Sequence, residues 1–181
     1  MSLHSFEVPP RSRNEILEVA NVVRRELRIA ENYFPIIEVL ELVMPEILPG
    51  YVFGVKSHAE MGENHGLTVP VDSAIYLRED VYEGVIEGRG RDRFTACHEL
   101  GHYLLHLKAQ IKFHRSAGRL KAYVDSEWQA NTFAAGLMMP TDRLVECQSL
   151  GEICARFGVS AKAAAYQNRV LAKDGKMRIL N

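Results

Sequence analysis

The sequence predicts an α+β fold, mainly helical, with one small sheet of about three strands. Three observations carry that prediction. Apolar residues recur at three- and four-residue spacing over several stretches, short β-prone runs are confined to residues 51–77, and prolines and glycines punctuate the boundaries between them. A chain of 181 residues that is 47% hydrophobic suits a packed core rather than disorder. The expected organisation is a loose N-terminal segment at residues 1–12, a main domain at 13–148, and a helical C-terminal part at 149–181 packed on the same domain.

Taken in order, Ile16, Val19, Ala20, Val23, Leu27 and Ala30 form the stripe of an amphipathic helix. Pro35 opens a second helix through Ile36, Ile37, Val39, Leu40 and Val43, which Pro45 and Pro49-Gly50 close. The two are expected to pack as an antiparallel pair. The runs YVFGVK, HGLTVP and SAIYL then alternate with glycine- and asparagine-bearing turns, the pattern of three strands. Residues 91–108 form a helix that buries Cys97, Leu100, Leu104 and Leu107, and residues 126–139 form another, stopped by Pro140. Between them, residues 111–124 read as a basic, irregular, exposed loop. Helices at 142–148, 150–157 and 160–173 follow, with Gly158 at a break and Ser160 as N-cap, and the last six residues add a short strand.

Composition restricts the function classes. A net charge of −1 exerts no overall pull on nucleic acid or anionic membrane, so any such contact needs a local patch. Cys97, Cys147 and Cys154 are an odd number, lack CxxC spacing and lie in apolar helical patterns, which reads as reduced core thiols of a cytoplasmic protein. The N-terminus shows no basic segment followed by an apolar stretch, and no run of about 18 apolar residues occurs.

The chemistry concentrates in HELGH, residues 98–102. Residues four apart on a helix differ by about 40° around the axis, so His98 and His102 project from one face and can share an ion. Glu99 lies about 100° away, beside such an ion and placed to take a proton from water. Gly101 permits close approach on the metal side. The same residues also suit an ordinary helix whose histidines pack, and a third ligand decides between the two. A metzincin would have Gly at 105 and His at 108, but Leu105 and Lys108 exclude that class. Glu127, on the following helix, is either the third ligand or a solvated carboxylate favourable to a helix N-terminus. Asn131, one turn on, can hydrogen-bond a ligand histidine and fix its tautomer. His106 continues the histidine row by one turn, in a packing or supporting role rather than as a ligand. His114, Arg115 and Tyr123 are candidates to face an oxyanion. Tyr76, in the strand before the motif helix, is a candidate substrate contact at a sheet edge.

Together, RFTACHELGHYLLH and EWQANTFAAGLMMP resemble the HExGH and E-x-x-AN-x-FA-x-x-LMP signatures of the ImmA/IrrE metallo-endopeptidases. The likeness extends more weakly to AIYLRED and ARFGVS. It implies a zincin-like domain with one Zn²⁺ per chain held by His98, His102 and Glu127, and with Glu99 as general base. It further implies cytoplasmic cleavage of a protein substrate, a helix-turn-helix transcriptional repressor. The rival reading is a zinc-containing regulator that binds a repressor or DNA without cutting it.

The stretch GEICARFGVSAKAAAYQNRVLAK resembles a helix-turn-helix. Its second helix offers Lys162, Gln167, Asn168, Arg169 and Lys173 to DNA. Three consecutive alanines and the near-neutral charge favour packing or repressor docking over DNA contact.

Overall fold

The computed structural model describes residues 5–106 and 120–180. Helix α1 (Arg13–Glu26) starts at a capping box: the Ser12 hydroxyl accepts the Glu15 N–H and the Glu15 carboxylate accepts the Ser12 N–H, at 3.3 and 2.6 Å. It buries Ile16 and Ala20 along the helix of residues 126–138. The antiparallel pairing with the next helix does not form. That next stretch is too short and interrupted to offer a matching face. It consists of α2 (Ile36–Glu38), a π-helical segment at Val39–Val43, and α3 (Met44–Ile47). The chain runs helically through Pro45 instead of stopping there. The widened turn relieves the clash between a proline ring and the carbonyl four residues earlier.

Strand β1 (Val52–Lys56), helix α4 (His58–Met61), β2 (Gly66–Val69) and β3 (Ala74–Arg78) follow. The sheet order is β1-β3-β2, with β1 parallel and β2 antiparallel to β3. The expected three strands are present, but β3 is central and hydrogen-bonded on both sides. The edge expected at Tyr76 therefore belongs to β2. Ile75 and Leu77 of β3 are fully buried, and their cross-strand partners Thr68 and Gly66 stand on the same face. Tyr76 points to the other face, its ring against Gly54 and under the Lys56 ammonium at 3.8 Å.

Helix α5 (Glu79–Ile86) occupies a stretch with no expected element, burying Val81 and Val85. The motif helix is α6 (Gly90–His106), and α7 (Ser126–Met138) packs along it. Leu104 is half-exposed rather than buried, while Tyr103 and Leu105 face the core. Leu107 and most of the loop expected at 111–124 lie outside the described residues. After Pro140 come α8 (Thr141–Leu144), shorter than expected, α9 (Leu150–Phe157) and α10 (Ala161–Lys173). Gly158 holds the break with φ of +62°. Residues 176–180 form no strand. The Leu180 N–H instead donates to Asn168 Oδ1 at 2.8 Å, and Asn168 Nδ2 donates to the Arg178 carbonyl at 2.9 Å.

One apolar cluster joins these parts, running from Phe34 through Leu100, Phe133 and Leu137 to Ile153, Phe157 and Leu171. Two buried arginines tie it together through carbonyl groups. Arg93 of α6 donates to the carbonyls of Phe157, Gly158 and Phe34, and Arg24 of α1 donates to those of Leu137 and Glu31. Residues 7–11 are tied to the segment before α7. The Val8 and Arg11 N–H groups donate to the Val124 and Tyr123 carbonyls, both at 2.9 Å, and Glu7 bridges to Asp125. Burial of Gln167 and Asn168, each 1% exposed, removes them from any DNA-facing surface. Among the described residues, no helix is long and apolar enough to cross a membrane.

Candidate metal centre

Two helices and one edge strand build the site. A Cβ on Gly101 would stand 3.0 Å from a Phe133 ring carbon and 3.2 Å from the Ala130 carbonyl oxygen. With no side chain there, α7 lies directly against α6, and Glu127, one turn before Ala130, meets the histidine row. Asp125 caps α7, accepting the Glu127 and Trp128 N–H groups at 2.9 and 3.2 Å, which fixes where Glu127 starts the helix.

His98 and His102 share one face, as their four-residue spacing requires, and Glu127 of α7 converges on them. His98 Nε2 lies 2.9 Å from His102 Nε2. Glu127 Oε2 lies 3.4 Å from the former nitrogen, and Oε1 lies 3.1 Å from the latter. Three donors set tetrahedrally around an ion at 2.0–2.1 Å would stand about 3.3 Å apart, so the donor set fits one such cation. Its charge balance agrees. Burial alone would raise the Glu127 carboxyl, but the His102 and His98 rings facing it hold it down at about 2. Burial works against a charged His98, yet the Glu127 contact raises its pKa overall. A carboxylate held ionised between a buried and a partly buried imidazole is a ligand set for a divalent metal.

The outer nitrogens are occupied. His98 Nδ1 lies 3.1 Å from Asn131 Oδ1, the partner the sequence pointed to. His102 Nδ1 lies 3.1 Å from His106 Nδ1, and His106 Nε2 lies 3.1 Å from Gln129 Oε1. Burial, and then the neighbouring His102, push His106 down to about 4, so it is neutral at pH 7.

Glu99 is buried against β2. The Thr68 hydroxyl donates to Glu99 Oε2 at 2.7 Å and lies 3.0 Å from the Glu99 carbonyl oxygen. Gly66 is required beneath it, because a Cβ there would come within 2.6 Å of Glu99 Cγ. Neither Gly66, Thr68 nor Gln129 was singled out from the sequence, where HGLTVP carries only a strand signal and Gln129 only a helical position. Tyr123 is half-exposed, and its backbone carbonyl, rather than its ring, contacts this network by accepting from Gln129 Nε2 at 2.8 Å. Tyr76 lies on the opposite face of the sheet from Thr68. His114 and Arg115 lie outside the described residues.

The arrangement can hold one cation and set a buried carboxylate beside it, the requirement for activating water toward a carbonyl. A family model described as the IrrE N-terminal-like domain of a peptidase family matches residues 59–168. A comparison with curated proteins gave no match.

Proposed function

Because the chain belongs to the IrrE N-terminal-like family of metallopeptidases, we propose that it is a zinc endopeptidase of the cytoplasm whose substrate is a helix-turn-helix transcriptional repressor. The observation that carries the catalytic part is the convergence of His98, His102 and Glu127 from two helices, with the buried Glu99 carboxylate close enough to act on the charge of His98. The substrate class rests on the resemblance of the HELGH and EWQANTFAAGLMMP stretches.

In this reading His98, His102 and Glu127 hold one zinc ion, and Asn131 keeps the His98 ring oriented through Nδ1. A bound zinc ion supplies Lewis acidity toward water and the scissile carbonyl. Glu99 takes the proton of the attacking water and returns it to the leaving amine. Thr68 fixes the Glu99 carboxylate through its hydroxyl on Oε2. The free edge of β2 beside Glu99 suits an extended peptide laid antiparallel by main-chain hydrogen bonds. The helices after Pro140 complete the same core, so the whole chain acts as one unit with a docking rather than a DNA-reading C-terminal part.

The test combines metal content with cleavage of a candidate repressor. Wild type is expected to carry about one zinc per chain and to cut the repressor. His98→Ala and Glu127→Ala should lose both properties, whereas Glu99→Gln should keep zinc and lose cleavage by roughly 10²–10⁴-fold. Zinc-loaded wild type that binds the repressor and leaves its size unchanged would instead establish a non-proteolytic regulator.

A further inference from the structure

The histidine row does not end at the ligands. We propose that His106 and Gln129 are positioning residues that set the tautomer of His102, so that His102 Nε2 presents a lone pair to the metal. The proposal rests on the metal-site reading given above.

The direction of every proton in this chain follows from its far end. Gln129 Nε2 lies 3.0 Å from the Pro9 carbonyl oxygen and 2.8 Å from that of Tyr123. Backbone carbonyls only accept, so the amide nitrogen must face them and Oε1 must face His106. Gln129 Oε1 therefore accepts from His106 Nε2 at 3.1 Å, which places the His106 proton on Nε2 and leaves Nδ1 as an acceptor. His106 Nδ1 stands 3.1 Å from His102 Nδ1, so that nitrogen carries the His102 proton. His102 Nε2, facing His98 Nε2 and Glu127, is then the nitrogen free to give its lone pair to a metal ion. In a histidine, the bond made by one ring nitrogen decides the state of the other.

Burial makes the order strict. Gln129 is 0% exposed and His106 5%, so a flipped amide or a reversed ring would leave buried donors facing donors and buried acceptors facing acceptors, with no water to relieve them. The end point is also structural. Pro9 is held by the strap of residues 6–11, whose Val8 and Arg11 N–H groups bond the carbonyls just before α7. The carbonyl pair that orients Gln129 thus forms where the N-terminal strap docks.

The test uses His106→Leu and His106→Asn, side chains of similar shape of which the second alone keeps an acceptor near the Nδ1 position. In metal-free wild type, ¹⁵N NMR of the imidazoles should show His102 protonated at Nδ1. Zinc affinity by chelator competition should fall about 10–100-fold in the Leu variant and much less in the Asn variant, with thermal unfolding measured beside it. Equal affinities in the two variants, or a wild-type His102 without a proton on Nδ1 in the absence of metal, would overturn the relay. A wild type that takes up no zinc would defeat the metal-site reading instead, and the His102 tautomer in the metal-free protein would still decide the relay.

Discussion

The α6–α7 pair and the α9–α10 pair both place histidine, glutamine, asparagine or arginine side chains on helices that look functional in sequence, yet they use them in opposite ways. In α6–α7, Asn131 and His106 bond the outer nitrogens of His98 and His102, with Gln129 behind His106, and leave the inner nitrogens facing Glu127. In α10, Asn168 spends its amide on the Arg178 carbonyl and the Leu180 N–H, and Gln167 is equally buried. A polar side chain on a helix makes a site when its partners leave one lone pair directed at open chemistry. When its partners are backbone groups, it is a fastener.

Arg93 joins the two regions, and replacing it should have the largest effect. Arg93→Leu leaves the carbonyls of Phe157 and Gly158 without their donor and that of Phe34 with the Ile36 N–H alone. The expected loss is about 3 kcal/mol or more, a fall in Tm of roughly 6–12 °C for a chain of this size. Calorimetry checks it, and an unchanged Tm would show the two pairs to be independent.

Gly101→Ala sharpens the contrast within α6–α7. The added methyl meets Phe133 and Ala130 at 3.0–3.3 Å, and overpacking there should cost about 1–3 kcal/mol. Because the helices must separate, zinc affinity should fall with stability. Retained affinity at lowered Tm would mean that Glu127 reaches the histidines without the close approach.

Asn168→Ala should separate the two uses of polar groups. It strands the Leu180 N–H and the Arg178 carbonyl, for about 1–2 kcal/mol in chemical denaturation, while zinc affinity stays at the wild-type value. A drop in affinity would tie the tail to the metal site. The smallest effect belongs to Lys162→Ala, whose exposed side chain should matter by less than about 0.5 kcal/mol. With Gln167 and Asn168 buried, wild type and variant should also both lack salt-dependent duplex binding. Binding that weakens steeply with salt in wild type would return α10 to DNA contact.

The legible part of the site was the part encoded by local spacing. His98 and His102 had to share a face because four residues make about one turn, and Glu127 with Asn131 repeated that logic on the next helix. The cross-chain part was silent. Thr68 meets Glu99 across 31 residues and Gln129 meets Pro9 across 120, and no period in a single sequence reports such pairs. The same limit explains the misplaced sheet edge. Three strands were visible, but their order depends on which faces meet α6. Helix α5 was missed because its apolar stripe lasts only eight residues and follows directly on the β3 run.

By itself, then, the sequence determined the helical period, the capped start at Ser160, and the histidine pair with a carboxylate on a following helix. All of these arise within a turn or two of chain, where geometry is set by backbone hydrogen bonds. Tertiary structure alone decided which polar groups face one another: Thr68 on Glu99, the carbonyl-anchored Gln129 behind His106, Arg93 across the core, and Asn168 turned inward. Those choices follow from close packing, which leaves each buried donor only the acceptors that distant segments bring to it.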